Sequence, residues 1–198
     1  MNAQNLLKEA ETLQSELVAI RRELHRHPEL GFDLPFTKAF VKQKLEEYGY
    51  QPTEMGKSGL IALVGGKNSG KTILLRADMD ALPIKEEADI DYCSENDGKM
   101  HGCGHDMHTA MLLGAAKLFK AHEDEIQGTV KLEFQPAEEI FQGSPDMLAS
   151  GLLDDPKVDA AAMIHVTAGM PLPSGTVMVS GGGMSSTSCE QYHITVKG

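Results

Sequence analysis

The sequence has 198 residues, with 18 Lys and Arg against 29 Asp and Glu, so its formal net charge at pH 7 is −11 with neutral histidines. This excess of acid, without any long run of basic residues, argues against nucleic acid and anionic membrane surfaces as partners. Because 41% of the residues are hydrophobic and 24% are charged, the composition is that of a globular protein with a core, which excludes disorder as the main state.

The chain shows no signal for export or for membrane insertion. It lacks both the basic-then-apolar layout of a signal peptide and the roughly 18 to 20 uninterrupted apolar residues of a membrane helix, so we predict a cytoplasmic location. The sequence contains three cysteines, Cys93, Cys103 and Cys189. Their odd number and irregular spacing argue against a disulfide framework.

The first part of the chain predicts two helices and a pair of strands. Apolar residues at steps of three and four favour a helix over residues 2–27, and a similar pattern that opens with Pro35 favours a second helix over 35–49. Residues 60–64 and 72–77 are short, aliphatic and β-branched, and a turn-rich segment separates them. Together they predict a β-hairpin.

The second part continues the alternation of helices and strands. It predicts a helix over 107–121, a strand over 129–134, a helical piece over 147–153 and a strand over 160–165. This order indicates an α/β fold, with a mixed, mostly parallel sheet flanked by helices. Apolar runs within the second and last predicted strands suggest that both are covered on both faces.

Polar side chains follow three of the predicted strands. Asp78 and Asp80 follow the strand that begins at Thr72, the pair Glu138–Glu139 follows the next, and His165 ends the last. Because ligands of open α/β sheets gather at the carboxyl ends of the strands, we expect these groups to meet. The alternatives are a solvated turn for the glutamate pair and a capped turn before Pro83 for the aspartates.

The loop over residues 101–108 is the densest cluster of metal-binding side chains in the sequence. Histidine and cysteine are preferred zinc ligands, and carboxylates complete zinc, manganese or cobalt sites. The flanking glycines would let Cys103 and His105 point at one centre. For His101 and His108, a role as hydrogen-bond donors behind the ligands is favoured over metal ligation, which stays an alternative. Asp106 is predicted as the cap of the following helix.

Two further features have simpler interpretations. His25 and His27 fall in the last turn of a predicted helix, where a cation complements the helix dipole. Residues 65–72 fit the phosphate-binding pattern G-x-x-x-x-G-K-[ST], but that loop requires a following helix, and residues 72–78 are strand-like. A turn with an exposed Lys71 is therefore favoured over a nucleotide site, which stays a remote alternative.

Four segments resemble one known family when they are taken together. They are RRELHRHPELGF at 21–32, LRADMDALP at 75–83, HGCGHDMH at 101–108 and FQPAEE at 134–139. In sequence and order they are similar to metal-dependent amidohydrolases such as hippurate hydrolases, auxin-conjugate (indole-acetyl-amino-acid) hydrolases and N-acyl-amino-acid amidohydrolases, which are related to aminoacylase and carboxypeptidase. The resemblance covers nearly the whole chain.

The resemblance implies a two-metal hydrolase of N-acyl or amide-linked amino acids, with a zinc-peptidase-like catalytic domain. Manganese or zinc would serve as the two divalent ions, with cobalt or nickel as alternatives. Glu138 resembles the general base, Asp80 resembles an acid that supports the metal site from behind, and Asp78 stands where related peptidases have a ligand. The implied metal ligands are Cys103, His105, Glu139 and His165.

The resemblance also implies a domain layout. Residues 1–188 would form the N-terminal part of the catalytic domain, and residues 189–198 would be the first strand of a truncated α+β lid or dimerisation domain. The rest of the lid, the returning half of the catalytic domain and its last histidine ligand are then missing, so we expect apolar sheet edges and self-association. Residues 140–145 and 166–169 depart from the family pattern. The alternative function is that of an inactive fragment acting as a binding or assembly module.

Overall fold

The computed structural model describes residues 2–183, 192 and 194–197, which divide into one unit that ends at Val166 and another that begins at Thr167. All helices and strands described below lie in the first unit. The described part of the second unit consists of turns and irregular backbone. Among the described residues, no helix combines the length and apolar character that crossing a membrane requires.

The predicted helix over 2–27 is two helices, α1 (Ala3–Thr12) and α2 (Gln14–Arg26), separated at Leu13. The Thr12 hydroxyl donates a 2.6 Å hydrogen bond to the Glu9 carbonyl, and such side-chain bonds compete with the helical ladder and bend it. The predicted second helix is confirmed as α3 (Pro35–Glu47).

The remaining helices shift slightly from their predicted bounds. α4 covers His105–Ala121 and so begins two residues earlier than expected. α5 covers Gly143–Ala149 instead of 147–153. Pro145 fits the first turn of α5, and Gly151, at φ 87°, stops any continuation, which accounts for the earlier position.

Five strands form one mixed sheet in the order β1-β2-β4-β3-β5. β3 is parallel to both β4 and β5, whereas β2 is antiparallel to β1 and β4. The predicted α/β fold, with a mixed sheet flanked by helices, is thereby confirmed. The strands are β1 (Thr53–Met55), β2 (Gly59–Gly65), β3 (Thr72–Asp78), β4 (Thr129–Gln135) and β5 (Ala160–Met163).

The predicted hairpin between β2 and β3 is wrong, because β4 lies between these strands. The connecting segment crosses the start of β4, where the Thr129 amide donates to the Lys71 carbonyl and the Gly66 amide donates to the Gly128 carbonyl. Consecutive strands are neighbours in roughly two-thirds of cases, and β2 and β3 belong to the remaining third. The same segment runs directly into β3, so it lacks the helix start that a phosphate-binding loop requires.

The larger core fills the space between one sheet face and helices α2, α3 and α4. Buried side chains from the helices meet Leu132 and Phe134 of β4 there, and each fully buried Leu or Phe contributes about 1.5–3 kcal/mol. A smaller cluster of Ile61, Leu74, Met147 and Leu152 covers the opposite face. The core therefore holds β3 and β4 rigidly, and their carboxyl ends lie at its rim.

The last strand differs from its prediction. All four residues of β5 are exposed, and Met163 is 57% exposed, so the expectation of a strand covered on both faces is wrong. Among the described strands, β5 pairs with β3 alone, which makes it an edge strand. The expected apolar sheet edge is present here, while self-association stays a prediction.

Two predictions concern the end of the chain. The domain boundary between 188 and 189 and the Cys189 thiol lie outside the described residues. The predicted lid strand over 189–198 falls largely outside them too. Both the boundary and the strand stay predictions.

Candidate metal centre

The carboxyl ends of β3, β4 and β5 meet beside the start of α4. The parallel register pairs Asp78 with Gln135 and Arg76 with Met163, so the residues that follow each strand emerge at the same level. Asp80, the Glu138–Glu139 pair and His165 are thereby brought to the first turn of α4. This convergence is the arrangement that the strand-end pattern predicts.

His105, the first residue of α4, is fully buried at the centre of this cluster. Its Nδ1 lies 2.7 Å from the backbone oxygen of Asp80. A carbonyl oxygen only accepts, so Nδ1 carries the hydrogen, and Nε2 of the neutral ring presents a lone pair to the site. The proton assignment thus follows from the partner on the opposite side of the ring.

Carboxylates surround His105 Nε2. The distances from this nitrogen are 3.7 Å to Asp78 Oδ2, 3.8 Å to Glu139 Oε1 and 3.9 Å to Glu138 Oε2. His105 Nε2 and Glu139 Oε1 are both buried without a hydrogen-bond partner among the described residues. A lone pair facing acceptors is costly unless a cation lies between them.

The pKa shifts show the same excess of negative charge. Burial lowers the pKa of His105, but its hydrogen bond to Asp80 and the charge of Asp78 outweigh burial and raise it. Burial raises the pKa of Glu139, and repulsion from Glu138 adds to the rise. Each shift favours the protonated form of the group. Such shifts are expected where several carboxylates lie together without a compensating positive charge.

Cys103 and His165 form the exposed side of the cluster. Cys103 Sγ lies 3.4 Å from His165 Nε2, and His165 Nδ1 donates to the Val166 carbonyl at 2.6 Å. Burial and the neighbouring Glu139 raise the pKa of the Cys103 thiol to about 12. A divalent cation would favour the thiolate, because the thiolate is the form that binds metal.

Three trios of donor side chains in this region each have ligand atoms within 4.8 Å of one another. His105 belongs to every trio, together with Cys103 and His165, or Glu138 and Glu139, or Asp78 and His108. The structure thus brings together the four ligands that the resemblance implies and also places Asp78 and His108 beside them, whereas His101, for which the sequence leaves ligation open, belongs to none of these trios. A donor set of thiol, imidazole and carboxylate suits zinc and other divalent transition metals.

Asp80 holds the two glutamates from behind. It is fully buried, and its carboxylate accepts hydrogen bonds from the backbone amides of Glu138, at 2.9 Å, and Glu139, at 3.2 Å. Its carbonyl also fixes His105. One residue therefore sets the position of three groups in the site.

His108 links the ends of β3 and β5. The Val166 amide donates to His108 Nε2 at 2.9 Å, so Nδ1 carries the hydrogen and donates to Asp78 Oδ1 at 2.6 Å. Burial would raise the pKa of Asp78, but the His108 hydrogen bond and the nearby His105 and Arg76 side chains lower it to about 2. This chain of bonds holds the backbone that follows His165.

The start of α4 differs from its prediction. The residue at the cap position is Gly104, with φ 85°, and the Asp106 side chain accepts from the amide of Met107. The prediction of Asp106 as the helix cap is wrong. A Cβ at residue 104 would overlap the Val166 side chain, so both the left-handed backbone and this close approach require glycine.

Two histidines have surroundings that the sequence does not reveal. His25, expected to complement a helix dipole, is 4% exposed and lies between Asp106 and Glu86. The sequence indicates this burial only through the position of His25 next to Leu24, which belongs to the apolar face of the predicted helix. His101 is also buried, without a hydrogen-bond partner in the described part of the chain, and burial lowers its pKa to about 4.

Comparison with protein families gives a match to the model of peptidase family M20/M25/M40 over residues 74–196. The chain is 46% identical over 156 residues to an N-acetyl-L-cysteine deacetylase of Bacillus subtilis, covering 78% of the chain and 37% of that protein. It is 40% identical over 195 residues to a hippurate hydrolase of Campylobacter jejuni, covering 98% of the chain and 50% of that protein.

Solved structures give a consistent result. A Bacillus subtilis protein described as a dinuclear metal-binding peptidase of the M20 family aligns with a TM-score of 0.77 at 39% identity, covering 82% of this chain and 45% of that one. A putative aminohydrolase from methicillin-resistant Staphylococcus aureus aligns with a TM-score of 0.81 at 35% identity, covering 86% of this chain and 45% of that one. The chain spans about half or less of the length of these proteins.

Proposed function

The chain belongs to peptidase family M20/M25/M40, and on this premise we propose that it acts in metal-dependent hydrolysis of the amide bond of N-acyl amino acids. The observation that carries the proposal is the buried His105 Nε2, which faces three carboxylates and has no hydrogen-bond partner among the described residues. Relatives named as an N-acetyl-L-cysteine deacetylase and a hippurate hydrolase support the substrate class.

The proposed metal ligands are those that the resemblance implies. Their donor atoms fit divalent ions, since each is a thiol sulfur, an imidazole nitrogen or a carboxylate oxygen and all belong to one cluster. Two ions are proposed because the relative from Bacillus subtilis is described as dinuclear. When bound, such ions lower the pKa of water and polarise a carbonyl group. The ligand set is Cys103, His105, Glu139 and His165.

Glu138 is the proposed general base. Its side chain is 34% exposed, against 20% for Glu139, so it can face a substrate while its amide is held by Asp80. Its carboxylate would take a proton from the attacking water as the oxygen bonds to the amide carbon. It would then pass that proton to the departing amine as the carbon–nitrogen bond breaks.

The finer details of this proposal come from the sequence resemblance. We propose manganese or zinc as the two ions, with cobalt or nickel as alternatives, and a small N-acyl or amide-linked amino acid as the substrate. A cytoplasmic location and a homo-oligomer are proposed with them. These details guide which metals and substrates a test would include.

The test compares the wild-type chain with Glu138→Gln after loading with manganese or zinc, using N-acetyl and N-benzoyl amino acids as substrates. We expect Glu138→Gln to keep its metal and to lose about 10²–10⁴-fold in kcat, since a positioned base contributes that much. Glu11→Gln, an exposed change on α1, is the matched control and should leave kcat unchanged.

The possible results separate the hypotheses. A wild-type chain that binds metal stoichiometrically but hydrolyses none of these substrates would favour the binding or assembly module. A wild-type chain that retains no metal would contradict the proposed site itself. Equal turnover by wild type and Glu138→Gln would remove Glu138 as the base.

A further inference from the structure

A cluster of charged side chains lies between α2 and the start of α4, beside the proposed metal centre but outside it. We call it the α2–α4 charge cluster, and its members are Arg21, His25, Glu86 and Asp106. Asp106 and His25 are almost fully buried, with side-chain exposures of 0% and 4%. Buried charges are costly unless they are paired, so this arrangement requires an explanation.

His25 bonds to a carboxylate at each end of its ring. Its Nδ1 lies 2.7 Å from Asp106 Oδ2, and its Nε2 lies 2.9 Å from Glu86 Oε1. Ionised carboxylates only accept hydrogen bonds, so both ring nitrogens act as donors. The ring therefore connects the loop that carries Glu86 to the helix that carries Asp106.

Asp106 is held from several directions. Arg21 Nε lies 2.7 Å from its Oδ2, and its Oδ1 accepts from the Met107 amide at 2.9 Å. With two cationic and two anionic side chains, the cluster balances its own charge. Rotation of the first turn of α4 would break these contacts and leave buried charges unpaired, which is strongly disfavoured.

The loop before α4 is attached to α2 by further bonds. It covers residues 79–104, is described throughout and contains no helix or strand. The Glu86 carboxylate accepts from the Ser94 amide at 2.6 Å, the Glu95 amide donates to the Arg26 carbonyl at 2.7 Å, and the Asn96 side chain donates to the Pro28 carbonyl. The loop ends with Cys103 and Gly104, directly before His105 at the start of α4.

We infer that His25 and Asp106 are positioning residues of the proposed metal centre. Asp106 follows His105 directly, and the loop joined to His25 carries Cys103 near its end. The α2–α4 charge cluster thus fixes two proposed ligands, on the loop and on the helix, against one rigid helix. Outer partners of this kind orient ligands and tune metal affinity. The inference rests on the proposed function, because it requires a metal at this site.

The test is cobalt(II) titration of the full chain, the metal-free protein of each variant being prepared first. His25→Gln and Asp106→Asn should each bind cobalt about 10- to 100-fold more weakly than wild type. Their cobalt absorption spectra, including the thiolate-to-cobalt band of Cys103, should also differ from that of wild type. A purely structural role would lower the melting temperature of the metal-free protein without changing the spectrum.

Glu16→Gln is the matched control. Glu16 on α2 accepts a 2.6 Å hydrogen bond from Lys117 on α4, so the change removes a charged contact between the same two helices, away from the site. It should leave cobalt affinity within about twofold of wild type, since distant sites are independent.

The outcomes distinguish this inference from the proposed function. If His25→Gln and Asp106→Asn bind cobalt with wild-type affinity and spectrum, the inference is overturned although the metal site stands. If the wild-type chain itself binds no cobalt, the proposed function fails instead. Should Asp106→Asn not fold, His25→Gln and Glu86→Gln decide the matter, because each removes one charge of the cluster and leaves Asp106 in place.

Discussion

At the scale of single residues, backbone partners decide what each histidine of the site can do. His105 and His165 each donate from Nδ1 to a carbonyl, so both present Nε2 to the cluster. His108 has the opposite arrangement, because the Val166 amide donates to its Nε2. The same residue type thus offers a lone pair in two places and a structural link in the third.

The sequence predicts the identity of these residues but not their hydrogen bonds. Cys103 and His105 stand out because metal-binding types crowd one short loop, and the family resemblance adds Glu139 and His165. The role of His25 is missed because its partners, Glu86 and Asp106, lie 61 and 81 residues away. No local pattern encodes contacts over such separations.

Glu133 gives a prediction for the dependence of stability on pH. It is 3% exposed on β4, and burial raises its pKa from 4.5 to about 7. The pKa of the Glu133 carboxyl is higher in the folded protein than in the unfolded chain. Its contribution to the free energy of unfolding is therefore largest below about pH 4.5 and is lost as pH rises through 7. At pH 8 the ionised side chain therefore costs up to about 3 kcal/mol relative to acid pH.

Glu133→Gln should remove this titration. We expect the melting temperature of Glu133→Gln minus that of wild type to become more positive from pH 5 to pH 8. Thermal unfolding at a series of pH values measures this, with Glu11→Gln as the exposed control. Parallel curves for wild type and Glu133→Gln would show that Glu133 does not titrate in this range.

At the scale of elements, the ends of strands were more predictable than their pairing. Asp78, Glu138 and His165 each stand at or after the end of a predicted strand, so their common edge could be inferred from the sequence. The order of the strands could not, because β4 carries Lys131 and Glu133 and yet lies at the centre of the sheet. Lys131 is fully buried, with Nζ bonded to two carbonyls of the loop that follows α5, so distant partners compensate its charge.

The start of α4 gives the second prediction. Gly104 has φ 85°, and a Cβ there would overlap Val166, the residue after His165. Gly104→Ala should therefore destabilise the fold by about 1–3 kcal/mol and weaken metal binding as well, because relief of the overlap moves the proposed ligand. Urea unfolding and metal titration measure the two effects.

Gly98→Ala is the matched control for this change. Gly98 has a similar φ of 75°, but nothing lies within 4 Å of its missing Cβ. It should show the backbone strain alone, with metal affinity unchanged. If the variants at 98 and 104 weaken metal binding equally, the contact with Val166 has no part in positioning His165.

At the scale of the whole molecule, the site depends on the complete order of elements in the first unit. Three parallel strands supply Asp80, Glu138 and Glu139, and His165, and α4 brings His105 between them. Local propensity predicts the helices and strands, while their assembly around one histidine follows from the register of β3 with β4 and β5. The candidate metal centre therefore depends on the folded sheet and not on any single motif.

The most direct test is anomalous X-ray diffraction from crystals of the chain grown with zinc, measured on both sides of the zinc absorption edge. We predict anomalous peaks from two zinc ions within coordination distance of Cys103 Sγ, His105 Nε2, a Glu139 oxygen and His165 Nε2, and Cys103→Ala should weaken the peak nearest to residue 103. Zinc bound elsewhere, with those four side chains ordered and without density between them, would contradict this prediction.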